Sequence, residues 1–381
     1  MIRVCILKIR HKERDHAALD TAVELCRHLY NAALQERQDA YRKTGKSPSF
    51  YDQCKSLTVI RKDDSRYSTL DAIMTRMTVL QRLDRAFKAF FRRAKAGETP
   101  GYPRFKGKGR FNGLVFGPTG WNLSCGKLRL AGIGTLRVAG RLHREGKLVG
   151  LRLKRRGDCW YVHVLIECGD APAVKPSTNG VGIDVGLRTF ATLSDGTQVA
   201  HPGFLRKNAE RIVFAQQTLA SKQRGSNRRC KARRVLGSLH WKIANRRRDF
   251  VWQTVATITK RYDGFAIEDL DIAEMAQKDV KGENKRVTRG IHRGIMDSAW
   301  GLFAHALACK AEEAGKPLVR VNPRGTSQRC SGCGSIVRKT LRDRVHDCPA
   351  CGTVLDRDVN AARNINDLGR RSAGKPAENL R

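Results

Sequence analysis

The stretch His346 to Ile365, HDCPACGTVLDRDVNAARNI, sets a cysteine pair a few residues ahead of an Asp-x-Asp-x-Asn run that opens an apolar helix. Two chemistries meet here. Cysteines holding a structural zinc would make a small nucleic-acid-binding knuckle, whereas aspartates holding a second kind of metal would make part of a nuclease. Upstream lies a matching pair, Cys330 and Cys333, with fourteen residues between it and the pair Cys348 and Cys351. Each C-x-x-C turn points two sulfurs inward, and four soft thiolates close a tetrahedral zinc site with no open position. Metal binding then replaces a core that so short a segment cannot build. Thioredoxin-like redox chemistry would need a single C-x-x-C at a helix start. With four cysteines available, His346 reads as a neighbour of the site or a surface residue and not as a ligand. A zinc held by four thiolates has no catalytic vacancy, so the chemistry must lie elsewhere.

Composition narrows the partner. Lys and Arg number 74 against 36 Asp and Glu in 381 residues, a formal charge of +38. A surface so positive attracts polyanions. A membrane is disfavoured because no apolar run reaches about 18 residues, and the opening MIRVCILKIR alternates and is broken by charge, unlike a signal peptide. The other eight cysteines are scattered singly and read as reduced thiols of an intracellular, cytoplasmic protein. The length allows two or three domains.

The opening reads as a strand, after which Leu19, Val23, Cys26, Tyr30 and Leu34 recur at helical spacing. A second helix is expected from STLD, with Ser68 and Asp71 as a capping box, running through Leu80, Leu83 and Phe87. From about Gly101 to Cys168, short alternating runs separated by glycine predict a small antiparallel barrel or sandwich. Its loops interleave Tyr102, Phe105, Phe111 and Trp121 with Arg104, Lys106, Lys108 and Arg110, a texture suited either to phosphate and base contact or to a barrel core beside a solvated loop. GDAPAVKPSTNG, residues 169–180, is the best linker. Beyond it the sequence predicts a hairpin or three strands with a turn at Asp195-Gly196, helices at about 204–236 and 240–260, a buried strand GFAIEDLDI, a polar loop at 277–290, a helix at about 295–314 and a strand PLVRVNP. That order predicts an α/β layered sheet with a mixed edge. The tail after Leu368 reads as disordered.

Three acids stand out. Asp184 sits inside the apolar strand VGIDVGL, where an ionised carboxylate needs a compensating cation. Glu268 ends GFAIE, and Asp358 precedes the helix VNAARNI. Each also has a bland reading: a turn residue, an arginine partner, a helix cap. If the strands bearing Asp184 and Glu268 are parallel neighbours, both acids reach one end of the sheet, and a helix packed across it can deliver Asp358. Two Mg²⁺ or Mn²⁺ ions about 3.5 to 4 Å apart would neutralise such a cluster and clamp a phosphodiester.

The ordered motifs GIDVGL, IEDLDI, TSQRCSGCG, CPACG and DRDVNAARNI resemble the TnpB family of transposon-encoded proteins, relatives of compact type V CRISPR effectors. The resemblance covers residues 180–366 and extends with less force to LQRLDRAFKAFF and GYPRFKGKGRF. It implies an RNase H-like RuvC nuclease domain (173–325 and 352–368) with an inserted four-cysteine zinc ribbon (326–351). Ahead of these it implies a wedge-type β-barrel (1–14 and 97–172) carrying a helical recognition lobe (15–96), with 369–381 left as tail. The implied activity is RNA-guided cleavage of DNA, directed by an RNA from the transposon end and licensed by a short motif beside the target. The catalytic triad carries over to Asp184, Glu268 and Asp358, with Asp356 as an alternative third acid. Arg76 and Gln81 stand where the adjacent motif would be read. Arg228, Arg229, Arg233, Arg234, Arg246 and Arg247, in NRRCKARR and NRRRDF, would line a guide and heteroduplex channel. The competing readings are a zinc-ribbon binding protein or guided repressor without catalysis, and a CRISPR-associated effector. A strand-joining transposase is disfavoured because the sequence offers no separate DNA-binding motif.

Overall fold

The computed structural model describes residues 1–10, 13–157, 159–277, 284–340 and 343–373. The chain divides into two units, Met1–Asp170 and Ala171–Arg381.

In the first unit β1 (Ile2–Ile9) leads into the long helix α1 (Glu13–Thr44). Three further helices follow, α2 (Phe50–Asp63), α3 (Ser65–Ser68) and α4 (Ala72–Thr75). A π-turn, Arg76–Leu80, then runs into α5 (Gln81–Lys95). Strands β2 (Gly113–Phe116), β3 (Trp121–Ser124), β4 (Lys127–Leu130), β5 (Gly134–Ala139), β6 (Lys147–Arg156) and β7 (Cys159–Glu167) complete it. The opening strand is central: β1 pairs antiparallel with β7 from Ile2 opposite Glu167 to Lys8 opposite Tyr161, and the sheet runs β2-β6-β7-β1-β5-β4-β3. Among the described residues no ladder joins β2 to β3. Strand periodicity puts Cys5, Leu7, Ile9, Trp160, Val162, Val164 and Ile166 on one buried face, in a single core with Leu19, Cys26 and Leu34 of α1 and Leu83 of α5.

Two details differ from the expectation. Ser68 ends α3, and the cap of the next helix is Asp71, whose Oδ1 accepts the Met74 amide at 2.7 Å. Residues 50–63, to which periodicity assigned no element, form α2 behind a capping box of Ser49 and Asp52.

The second unit begins with β8 (Gly180–Val185), β9 (Thr189–Leu193) and β10 (Gln198–Ala200), with Gly196 at φ +91° in the turn between the last two. Helices α6 (Phe204–Lys207), α7 (Ala209–Ala220) and α8 (Asn227–Arg261) precede β11 (Gly264–Glu268). Helices α9 (Ile272–Met275), α10 (Lys285–Ser298) and α11 (Trp300–Ala314) precede β12 (Leu318–Val321). A hairpin of β13 (Val345–Asp347) and β14 (Val354–Asp356) leads into α12 (Arg357–Ala373). The sheet order is β10-β9-β8-β11-β12, with β8, β11 and β12 parallel and β8, β9 and β10 antiparallel. Alternation sorts its faces. Val181, Ile183, Phe265 and Ile267 bury against Val251, Val255 and Ile258 of α8 and Phe303 and Leu307 of α11. Ala266 and Val321 bury on the opposite face against Ile365 of α12.

The helical boundaries here also differ from the periodicity. The interruption near Gly237 is absent, because Gly225 (φ +86°) makes the turn and the Ser226 side chain caps Arg229, leaving α8 as one helix of 35 residues. A predicted single helix at 295–314 is two, split where Ala299 takes φ +55°. The polar loop at 277–290 is in part helix, Lys285–Gly290 opening α10, and 278–283 lie outside the described residues. Residues 369–373 of the expected tail belong to α12, where Gly369 packs over Ala266, and those beyond lie outside the described residues.

Helix α12 rests directly on backbone. A Cβ at Gly182 would stand 2.1 Å from the Ala362 carbonyl oxygen and 2.4 Å from the Asn366 amide nitrogen. Gly182→Ala therefore forces α12 off the sheet, at a cost of about 3 kcal/mol, read as a lowered denaturant midpoint for the second unit. An unchanged midpoint would contradict this packing.

Candidate active site and metal centre

Strand register builds the acidic site. Parallel pairing sets Gly180 opposite Gly264 and Ile183 opposite Ile267, so Asp184 and Glu268 follow side by side at the carboxyl ends of β8 and β11. Two residues along a strand return to the same face. Asp184 therefore shares the face of Gly182, and Glu268 that of Ala266, the face α12 covers. Ala362 sits on Gly182, and Asp358 lies one helical turn earlier, toward the two acids. The three are thus brought to one edge of the sheet. Asp356 is not equivalent to Asp358: its Oδ1 accepts the amides of Asp358 and Val359, at 2.8 and 3.2 Å, and so caps α12.

The electrostatics reflect this convergence. Burial first, then the charges of Glu268 and Asp358, raise Asp184 well above the usual carboxylate range, while Arg357 opposes. Asp184 keeps part of its surface open, yet the protein packed around its carboxyl makes burial the leading cause. Burial also raises Glu268, against a hydrogen bond from Thr326. Burial and the neighbouring Asp356 raise Asp358, against Arg344, Arg357 and Arg188. Among the described residues no hydrogen bond or ion pair engages the side chain of Asp184 or Asp358. Nor do the acids crowd one point: among the described residues, only the four cysteines bring three or more ligand atoms within 4.8 Å of each other. Half-buried carboxylate oxygens of this kind fit hard divalent cations.

The cysteines fit zinc by geometry. Cys330 and Cys351 sulfurs are 3.7 Å apart and those of Cys333 and Cys348 3.6 Å, close to the edge of a tetrahedron with Zn–S bonds of about 2.3 Å. Hydrogen bonds with the side chain and backbone of Ser335 draw Cys333 down to about 6, whereas burial pushes Cys348 up to about 11, so a metal entering the cluster displaces protons. His346 is fully buried in β13 beside the cluster, with Nδ1 against Lys339 Nζ, and is not among the clustered ligands.

Three polar residues that composition and motif did not single out connect the two centres. Thr326 donates from Oγ1 to Glu268 Oε1 at 2.6 Å. Asn364 donates to the carbonyls of Thr326 and Arg329, both at 2.7 Å. Asn360 donates to Arg329 O at 2.8 Å and accepts the Ser331 amide at 2.9 Å. The asparagines sit four apart on α12 and share one of its faces, turned to the ribbon, a spacing visible in DVNAARNI that could have marked them.

The basic candidates divide. Arg76, Arg104, Lys108, Arg228, Arg233, Arg234 and Arg246 are exposed. Gln81 is half-buried and accepts from Arg85 at 3.4 Å. Lys106 is fixed by its backbone to Asn31, with Nζ 5.6 Å from the Tyr30 ring centre. Arg229 donates to the carbonyls of Leu219 and Lys222, closing the turn before α8, and Arg247 pairs with buried Asp297 at 2.5 Å. Of the interleaved aromatics, Phe111 is core and Tyr102 packs against Phe87 and Phe90, while Phe105 stays exposed.

Comparison with known proteins agrees with this architecture. Residues 163–279 match a family model described as a probable transposase, and residues 300–365 match the Cas12f1-like TNB domain. Residues 16–46 match a helix-turn-helix domain, a motif the sequence reading did not find, although as far as Thr44 they form one unbroken helix here. InsQ of Escherichia coli (strain K12), named as a candidate RNA-guided DNA endonuclease, is 31% identical over 350 residues, 89% of this chain and 85% of InsQ. The TnpB-like protein L79 of Acanthamoeba polyphaga mimivirus is 26% identical over 205 residues, 52% of this chain and 38% of L79. The solved complex of Cas12f1 with sgRNA and target DNA aligns over 93% of this chain and 83% of that one, with a TM-score of 0.54 at 14% identity, a likeness of fold alone. On the extent of its likeness to InsQ, the chain belongs to the TnpB family.

Proposed function

We propose that this chain is a transposon-associated, RNA-guided DNA endonuclease whose phosphodiester hydrolysis depends on Asp184, Glu268 and Asp358. The observation that carries the reading is the arrival of these three acids, two without a hydrogen-bond partner among the described residues, at the carboxyl ends of β8 and β11. In this reading the second unit is an RNase H-like RuvC domain with an inserted zinc ribbon. The first unit is a wedge-type fold with a helical recognition lobe, which would read a short motif beside the target. The net charge of +38 suits a guide RNA paired with DNA, whose phosphates are held by sequence-independent contacts.

Asp184, Glu268 and Asp358 would hold two Mg²⁺ or Mn²⁺ ions, and Cys330, Cys333, Cys348 and Cys351 one zinc. When bound, a pair of hard cations activates an attacking water and stabilises the leaving 3′ oxygen. The protein's own part is to hold three carboxylates at fixed positions. Gly186, two residues past the first acid, admits the Thr189 carbonyl oxygen to within 2.9 Å of where a Cβ would stand, which holds the turn after Asp184 tight.

Sequencing the RNA that copurifies with the chain identifies the guide and hence the target. With that guide, Asp184→Asn lowers the cleavage rate by at least about a hundredfold while RNA and DNA binding persist. Unchanged cleavage in this variant would leave a nucleic-acid-binding protein without this catalytic site. The raised carboxylates give a second test. In the metal-free chain the folded state keeps protons that the unfolded state has released, so these groups lower stability as pH rises from about 4 through their folded values. The stability of wild type relative to Asp184→Asn accordingly falls over that rise, and Mg²⁺ removes the difference. A relative stability that climbs with pH would contradict the shift. For the ribbon, metal analysis finds one zinc per chain and Cys348→Ser lowers that occupancy together with the thermal midpoint of the second unit.

A further inference from the structure

Glu268 differs from its two acidic neighbours in having a partner. Its Oε1 accepts the Thr326 hydroxyl at 2.6 Å, a bond that does not engage Oε2. Thr326 is 6% exposed, so water does not compete for the contact. The hydroxyl has one proton and two acceptors in reach, Glu268 and, at 3.1 Å, the Pro323 carbonyl. The shorter contact is to the charged group, where a hydrogen bond is strongest. Nor does the local turn depend on that hydroxyl. Gly325, at φ +79°, already closes it, its carbonyl accepting the amides of Gln328 and Arg329 at 3.1 and 2.9 Å.

What holds Thr326 is the ribbon and α12 together. Asn364 grips the Thr326 and Arg329 carbonyls, and Asn360 grips the backbone of Arg329 and Ser331 on either side of Cys330. The segment from Thr326 to Ser331 is therefore a short bracket with the four-thiolate cluster at one end and Glu268 at the other.

We propose that Thr326 is a positioning residue for metal binding: its hydroxyl, held in place by the four-cysteine ribbon through Asn360 and Asn364, fixes the Glu268 carboxylate for the divalent cation. This rests on the nuclease reading given above. A glutamate has one more rotatable bond than an aspartate, and without the hydroxyl it swings away from Asp184, which repels it. Residues that orient a ligand typically contribute tenfold to a hundredfold in metal affinity.

The test uses the full chain freed of nucleic acid, with its zinc retained, titrated with Mn²⁺ and followed by electron paramagnetic resonance. The quantity read is the Mn²⁺ binding that Asp184→Asn removes. Thr326→Val keeps the side-chain shape and removes the hydroxyl, and weakens that binding about tenfold. Thr326→Ser restores the hydroxyl and binds as wild type does. With guide RNA and target DNA, Thr326→Val also raises the Mg²⁺ concentration for half-maximal cleavage, and Thr326→Ser does not. Thermal midpoints are measured for both variants. Thr326→Val binding Mn²⁺ as tightly as wild type overturns the inference while leaving the nuclease reading intact, and so does equal weakening in both variants, which assigns the loss to packing. Mn²⁺ binding indifferent to Asp184→Asn overturns both.

Discussion

The second unit depends on how closely α12 lies on β8. Gly182 offers no side chain, so the helix backbone meets the strand backbone, and Gly369 repeats the contact over Ala266 one strand away. Such an approach fixes the helix in height and in rotation, because close-packed backbone cannot slide as a layer of long side chains can. The rotation is what brings Asp358 to the acids and turns Asn360 and Asn364 to the ribbon. One seat thus sets the positions of both the acids and the cysteines.

The cost of that arrangement is electrostatic. The fold holds three carboxylates at one sheet edge and, among the described residues, supplies a hydrogen bond to only one of them, Glu268. Burial lifts all three from their ordinary range, and the charges of Glu268 and Asp358 lift Asp184 further. A protein tolerates an unsatisfied cluster of this kind where something else completes it, and oxygen donors of this charge are completed by hard divalent cations. The neighbouring Arg188, Arg344 and Arg357 relieve part of the repulsion without occupying the site. Over the whole chain the balance is reversed, with cations in large excess, as suits a protein whose partner supplies phosphate charge.

The ribbon is continuous with this machinery. It enters at the end of β12, returns through β14, and passes within two residues from the helix cap Asp356 to the acid Asp358. Its first knuckle is bound to α12 by two buried asparagines. A four-thiolate centre, when its metal is bound, is rigid where a loop of this length would not be, and the hydrogen bonds run on from it through Thr326 to Glu268.

Much of the site was legible beforehand, since matched C-x-x-C pairs carry their geometry in their spacing and an acid inside an apolar strand announces its own cost. The sequence by itself determined the four thiolates, the strands bearing Asp184 and Glu268, and the excess of positive charge, because each is a property of local pattern or composition. Helix breaks were misjudged where local signals conflict: Gly237 lies within α8 because Gly225 and Ser226 make a better turn, and Ala299 breaks a run that periodicity joined. Which arginines face outward was equally hidden, since Arg229 and Arg247 are taken up by carbonyls and a carboxylate distant in sequence. Only the tertiary structure decided that Asp356 caps while Asp358 reaches the acids, and that Thr326 holds Glu268. Those roles depend on parallel register and on the rotation of one helix over a glycine, and neither has a local signature in the chain.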